Sequence, residues 1–312
     1  MSTNLNLRWW QWALPLLLLP GFFVSFDLDG NVALWHALMD LSHLLIFFFF
    51  AHSFYPLMHR FSRHYAALTT STLCVFLMLL IEWLQPLAGR SSSIQDIYFG
   101  LLGVSIWLLT SQLWPKLHEY WQRLLVALLI LIIVVASGFT VIQMSYAVFW
   151  RMQKMPMLGD FEREIDLILW HAYGSANGQQ ASVQRSADVA HLHRYSLKVN
   201  TIPSDWSGVQ FFAGDMDWST YQRLSLAIYN PGKEMSLGLR IDDAGKSDEF
   251  NSRINSKLIL NPGWNEIVLS LPELSSQVKF RAFDLANIRM LYLFTSPRTE
   301  PKTFFVDNVR LD

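Results

Sequence analysis

The sequence predicts a two-part molecule: an α-helical membrane bundle of about five transmembrane helices, followed by an all-β antiparallel sandwich. Three observations carry this prediction. The 312 residues are 52% hydrophobic and only 16% charged, whereas about 25% is usual for soluble domains. The charge is unevenly spread, with 8 Lys/Arg and 6 Asp/Glu in residues 1–155 against 16 and 19 in residues 156–312. Near residue 155 the hydrophobic pattern also changes, from long apolar runs to short alternating ones. So apolar a chain, with a net charge of -1, is neither intrinsically disordered nor expected to partner nucleic acid. The single cysteine, Cys74, excludes an internal disulfide and a Cys-based zinc site. Inside an apolar run it reads as an inert buried thiol.

Five apolar stretches fall at about 7–26, 34–58, 66–87, 95–114 and 124–149. Each is near the ~20 residues a helix needs to cross a ~30 Å hydrocarbon core. Pro15 and Pro20 in the first stretch are tolerated in a spanning helix. No small-residue cleavage site precedes Asp27, which disfavours a signal peptide. Trp9, Trp10, Trp12 and Trp150 suit the membrane interface. Arg8, Arg60, Arg63, Lys116 and Arg123 lie on one side and Arg90, Arg151 and Lys154 on the other. The positive-inside rule then puts the N-terminus in the cytoplasm and the C-terminal half outside.

In a charge-poor bundle the remaining polar residues carry the information, because a charge in lipid is costly and usually faces a bundle interior or polar cavity. Asp40 and His43 are three apart and share a helix face, with His36 a turn earlier and His52 farther along. Glu82 and Gln85 repeat that spacing, Arg90 follows Pro86 and Gly89, and Asp96 opens the fourth span. Asp40, Glu82, Arg90 and Asp96 all map near one membrane surface, where Arg90 could pair two carboxylates. Three readings stay open: a polar network that fixes packing, a site for a lipid-linked or head-group substrate, and a hydrolytic or transfer centre. In the last, His43 would act as base and Asp40 would orient it, or a carboxylate would donate a proton. Metal ligation by His36, Asp40 and His43 is conceivable on helical spacing. Ser91–Ser93 lie in no nucleophile motif, and Gly100 and Gly103 suit close helix packing.

Asp40-x-x-His43, Glu82-x-x-Gln85, Gly89-Arg90, Asp96 and Gly103 together resemble the VanZ-like integral membrane family over residues 10–114. The resemblance implies a bundle of about four spans and a cell-envelope role near glycopeptide resistance or surface-glycan handling. Two positions depart from the family pattern. Gly100 stands where a polar Asn is frequent, and Leu41 stands where a basic residue often follows the first Asp.

Residues 151–160, with Pro156 and Gly159, read as a linker between a bundle at 1–150 and a sandwich at 161–312. Strands are expected at Tyr195–Val199, Leu224–Tyr229, Met235–Ile241, Ser256–Leu260, Asn265–Leu269, Met290–Phe294 and Phe304–Leu311. Turn signals such as Asn230-Pro231-Gly232 and Asn261-Pro262-Gly263 separate them. Short strands at this spacing suit an antiparallel sandwich. The segments LAIYNPG, LGLRIDD, LNPGWNEIVLSLPEL and FFVDNVRLD resemble galactose-binding-like jelly rolls, above all family 11 carbohydrate-binding modules and CIA30-type domains. That resemblance implies a jelly-roll sandwich. Ligand-binding candidates are Trp206, Asp215, Asp217, Trp218, Tyr221, Arg240 and Tyr292, with Asp242 alternating beside Arg240. Trp264 is expected in the core. The resemblance further implies a structural calcium held by Glu162 or Glu164 and Asp307, since oxygen-rich sites suit that ion; no other cofactor is expected.

The expectation is therefore a multi-pass inner-membrane protein with a periplasmic domain, recognising or handling a surface glycan or lipid-linked saccharide. The alternatives are a membrane enzyme acting through the Asp/His/Glu/Arg cluster, with Asp40, His43, Glu82, Gln85, Arg90 and Asp96 as candidates, and an assembly component that docks envelope protein partners. No phosphate loop, dinucleotide fingerprint, zinc-protease motif or serine-hydrolase elbow is present.

Overall fold

The computed structural model describes residues 32–88, 93–176, 178–245, 249–296 and 300–312. The apolar stretch at 7–26 and Arg90 lie outside them. The described chain divides into two compact units, Trp35–Ile142 on the one hand and Gln143–Asp312 with residues 32–34 on the other.

Helices α1 (Val32–Phe61), α2 (Ala66–Leu84), α3 (Ile94–Trp107) and α4 (Tyr120–Lys154) make up the first part of the described chain. Segments Ala37–Phe61, Ala66–Leu87, Ile94–Lys116 and Tyr120–Lys154 are each long and apolar enough to cross a membrane. Ser93 caps α3 by accepting the Gln95 N–H at 3.1 Å. A π turn and a 3-10 turn extend α3 to Lys116. The 35 residues of α4 give a rod of about 52 Å at 1.5 Å per residue, longer than a ~30 Å hydrocarbon core. Leu128, Leu131, Ile132, Val135, Phe139 and Ile142 are exposed along it, as a lipid-facing stripe would be.

The helices meet through apolar side chains and glycine. Phe47, Phe50, Cys74, Met78, Ile81, Val104 and Trp107 form one buried cluster, and Leu44, Phe99 and Ile106 form another. A Cβ at Gly103 would stand 2.1 Å from the Leu44 carbonyl oxygen, and one at Gly100 would stand 2.9 Å from Met78 Sδ and from the Phe47 ring. Both glycines are therefore the contact surface of α3. At position 103 the obstacle is backbone, whereas at position 100 the side chains of Met78 and Phe47 would have to shift.

The second unit is a two-sheet antiparallel sandwich. Its strands are β1 (Met157–Gly159), β2 (Trp170–Tyr173), β3 (Ser175–Ala176), β4 (Gln179–Gln180), β5 (Ser182–Ser186), β6 (Ser196–Asn200), β7 (Ser207–Met216), β8 (Arg223–Asn230), β9 (Met235–Asp243), β10 (Ile254–Leu260), β11 (Gly263–Ser270), β12 (Ile288–Thr295) and β13 (Thr303–Leu311); the short helix α5 (Leu271–Ser276) follows β11. One sheet runs β11-β8-β13-β6-β5, with β1 also on β13, and the other runs β10-β9-β12-β7-β2. All seven expected strands are present. Strands β7, β2 and β5 were not foreseen, although Val209, Phe211 and Ala213 alternate inward along β7 and are fully or almost fully buried. Leu226, Ile228, Leu239, Ile241, Leu291, Leu293 and Val306 join them in the core between the sheets.

Two expectations need correction. Residues 151–160 are not a linker: α4 continues to Lys154 and β1 pairs with the last strand, Met157 opposite Arg310. Lys154 holds Asp160 at 2.6 Å across this junction. Trp264 is not core, because its register partner is Tyr229, which points away from inward-facing Ile228. It stands half-buried between the rings of Tyr229 and His191, at centroid distances of 5.3 and 5.0 Å.

Candidate functional sites

In the helical unit, His43 of α1, Glu82 of α2 and Asp96 of α3 each bring a potential ligand atom to within 4.8 Å of the others. Among the described residues this is the one such group of three. All three are buried, at 3%, 8% and 3% exposure. Helix packing explains their convergence. Asp96, Gly100 and Gly103 follow at four and seven residues and so share one face of α3. Gly103 sits on Leu44, next to His43, and this contact pulls the two helices together.

The His43 ring is oriented at both nitrogens. Nδ1 faces the Met39 carbonyl at 3.0 Å, and Nε2 lies 3.4 Å from Asp96 Oδ2. A carbonyl only accepts, so Nδ1 carries the hydrogen. Glu82 Oε2 accepts the Ser93 N–H at 2.7 Å, which ties the end of α2 to the start of α3. A carboxylate in the first turn of α3 is also favoured by the helix dipole. The remaining helical candidates lie around this group or elsewhere. Gln85 is buried one turn past Glu82, and Asp40 is half-buried but outside the convergent group. His52 is exposed. The His36 side chain and Arg90 lie outside what the structure describes. The expected grouping of His36, Asp40 and His43 includes a side chain outside the described residues, whereas the trio seen here is drawn from three helices rather than one.

In the sandwich, a groove of about 400 Å³ lies on the outer face of the five-stranded sheet. Strand register builds it. One row across the sheet reads Asn255, Arg240, Tyr292, Gln210, His171, and the next reads Lys257, Gly238, Phe294, Gly208, Tyr173. Glycine at 238 is required because a Cβ there would stand 2.4 Å from the Phe294 ring. Trp206 packs edge-on to Phe294 at 5.2 Å, and Tyr173 to Tyr292 at 5.5 Å. Trp206 and Phe250 are exposed at the rim.

The polar part of the groove is held in place. Arg240 donates to both Asp242 oxygens, at 2.7 and 2.6 Å, and lies 4.9 Å from the centre of the Tyr292 ring. Burial raises the Asp242 carboxyl above the ordinary range, and the Arg240 guanidinium offsets this only in part. Burial, with the Asp242 charge behind it, pushes the Tyr292 hydroxyl up to about 12. The groove therefore presents a neutral phenol, aromatic faces and a guanidinium anchored by its own counter-ion.

Of the seven residues expected to bind a ligand here, Trp206, Arg240 and Tyr292 line the groove. Trp218 is completely buried, a core residue. Tyr221 packs against the core. Exposed Asp217 accepts from Ser219, and the Asp215 side chain is not described. Tyr173, Phe250, Arg253, Asn255, Lys257 and Phe294 were missed. Phe294 was legible from its two-residue spacing to Tyr292; the others come from other strands and loops, with no sequence link to it.

The carboxylates expected to hold calcium are engaged by N–H donors. Asp307 Oδ2 accepts from the backbone of His191 and Leu192, at 2.7 and 3.0 Å, and Oδ1 accepts from Asn308. Glu162 accepts from the backbone of Arg194 and Tyr195, and Glu164 accepts from Arg185. These three do not form a convergent ligand group. They tie loops and chain ends together.

No protein-family model and no curated protein matches the chain. Solved structures match its sandwich. A family 11 carbohydrate-binding module from Clostridium thermocellum, in complex with a β-1,3-1,4-mixed-linked tetrasaccharide, is 20% identical over 50% of this chain and 94% of its own, with a TM-score of 0.40. The CBM22-1 xylan-binding domain of Paenibacillus barcinonensis Xyn10C is 13% identical over 50% and 94%, at 0.34. A family 30 carbohydrate-binding module of a Clostridium thermocellum cellulosomal cellulase is 14% identical over 46% and 91%, at 0.35. The class is thus a multi-helix membrane region fused to a two-sheet β-sandwich that resembles family 11 carbohydrate-binding modules. The sandwich itself stands on its strand pairing.

Proposed function

We propose that this chain is a multi-pass protein of a bacterial inner membrane that recognises a surface glycan or lipid-linked saccharide through the groove of its sandwich, displayed outside the cytoplasm. One observation carries the reading: Tyr173, Trp206, Tyr292 and Phe294 share one open groove with Arg240, Asn255 and Lys257. Sugar rings offer apolar C–H faces and hydroxyl edges, and a groove that pairs aromatic faces with fixed polar groups matches both. The solved modules that resemble the sandwich include one bound to a tetrasaccharide. The charge distribution of the loops supports the orientation, and the VanZ-like residue order in the helical part supports an envelope setting.

The test is calorimetry of full-length protein in mild detergent against a panel of envelope oligosaccharides. A ligand is expected, and Trp206→Ala or Tyr292→Ala should weaken it at least tenfold. A folded wild type that binds none of the panel overturns the reading.

The convergence of His43, Glu82 and Asp96 favours a second reading, a membrane enzyme acting on a lipid-linked envelope substrate. It requires that Glu82→Gln and His43→Ala abolish function in cells while protein level stays unchanged. Intact function in both variants removes it.

A further inference from the structure

We infer that His43, Glu82 and Asp96 form a binding site for a divalent transition-metal ion of the zinc class, within the helical unit. The inference rests on neither functional reading above.

The argument begins with the tautomer. His43 Nδ1 stands 3.0 Å from the Met39 carbonyl and must donate to it, so a neutral ring carries its lone pair at Nε2. That lone pair would meet Asp96 Oδ2, another acceptor, at 3.4 Å. Two lone pairs face each other stably only with positive charge beside them, supplied by a proton, a protein cation or a metal ion. The separation favours the metal. A hydrogen bond to a carboxylate closes to about 2.7–2.9 Å. Two ligands at about 2.0–2.1 Å from a tetrahedral ion stand about 3.4 Å apart.

Two further observations point the same way. Asp96 is 3% exposed and its Oδ1 has no hydrogen-bond partner among the described residues, so the buried carboxylate has coordination capacity left over. The ligands also have the outer partners that fix metal-binding side chains: the Met39 carbonyl orients the imidazole, and the Ser93 N–H orients Glu82 at 2.7 Å.

The donor set defines the ion. One imidazole nitrogen and two carboxylate oxygens suit zinc and its first-row neighbours better than calcium, which takes six to eight oxygens. Three protein ligands leave a fourth position open, the arrangement of catalytic rather than structural zinc sites. Of the three ligands, Glu82 also lines a groove of about 260 Å³, together with Trp83, Ser93, Ile94 and Ile97.

The experiment uses full-length protein in mild detergent, stripped with a chelator and titrated with Zn²⁺ by calorimetry. One Zn²⁺ should bind per chain and raise the Tm. Asp96→Asn and His43→Gln should each weaken binding at least 100-fold and lose the Tm rise. Replacing Zn²⁺ by Co²⁺ in the wild type gives a readout that needs no variant, the visible bands of a tetrahedral nitrogen–oxygen site. A folded wild type that binds no Zn²⁺ at micromolar concentration overturns the inference, because the positive charge is then a proton or a protein cation. Wild-type affinity in Asp96→Asn, or Ca²⁺ competing as an equal, also overturns it.

Discussion

Side chains that look alike in the sequence separate sharply once their burial is known. Trp206 and Trp218 are twelve residues apart and both looked like sugar platforms, yet Trp206 is 47% exposed on the groove and Trp218 is 0% exposed. Trp218→Ala should therefore lower the unfolding free energy by about 3–5 kcal/mol. Trp206→Ala should leave stability nearly unchanged and affect only binding; thermal unfolding and calorimetry on the same two variants separate the effects. Tyr292 offers a pH test. With its hydroxyl held at about 12 in the folded state and near 10 when unfolded, the unfolded chain releases the proton first. Its contribution is intact below pH 10 and is lost as pH climbs from 10 towards 12, on the order of 2 kcal/mol. Unfolding curves of wild type and Tyr292→Phe should coincide below pH 10 and diverge above it, with the wild type the less stable. At Gly103 the backbone of α1 leaves no room for a methyl group. Gly103→Ala must push the helices apart, at a cost of about 1–3 kcal/mol, measurable as a lower Tm in detergent.

Among the elements, the start of α3 concentrates several functions in four residues. The Ser93 side chain caps the helix, the Ser93 N–H holds Glu82, and Asp96 supplies the third buried acidic or imidazole group. Ser93→Ala removes the cap and should cost about 1 kcal/mol. It leaves the backbone N–H, so Glu82 should stay in place; thermal unfolding should drop slightly while Zn²⁺ stoichiometry is unchanged. The strands were legible where alternation was bounded by Pro, Gly or Asn, as in β9 between Asn230-Pro231-Gly232 and Asp243. Strand β7 escaped because Gly208 and Gly214 break the side-chain pattern at both ends. Its glycine at 208 is demanded by the neighbouring strand, since a Cβ would stand 2.0 Å from the Leu293 carbonyl oxygen. Such a requirement cannot be seen along a single segment.

For the whole molecule, the proposed direction across the membrane rests on the Lys/Arg of the loops between the apolar stretches. The topology we propose, with the N-terminus in the cytoplasm and five spans, places the sandwich outside. Asp217 is exposed and Cys74 is fully buried, so Asp217→Cys provides a clean label. A membrane-impermeant maleimide should modify that variant in cells with a permeabilised outer envelope but intact inner membrane, and should leave the wild type unmodified. Labelling of Asp217→Cys only after the inner membrane is broken would reverse the assigned direction.

The sequence by itself determined what depends on neighbours along the chain. Apolar runs of helical length, alternating strands and the turns between them follow from local hydrophobicity and backbone preference, and these produced four of the expected spanning helices and seven strands. It also showed that the few polar residues of the helical part matter, because each is costly in lipid. Only the tertiary structure decided which of them meet. His43, Glu82 and Asp96 come from three helices, brought together by a glycine contact whose register no single helix records, and Asp40, three residues from His43, is not one of the three. The groove likewise depends on cross-strand register, which sets Arg240 beside Tyr292 and Gly238 beside Phe294. Trp218, Tyr221 and Trp264 were misplaced for the same reason: burial is a property of the facing sheet, not of the residue.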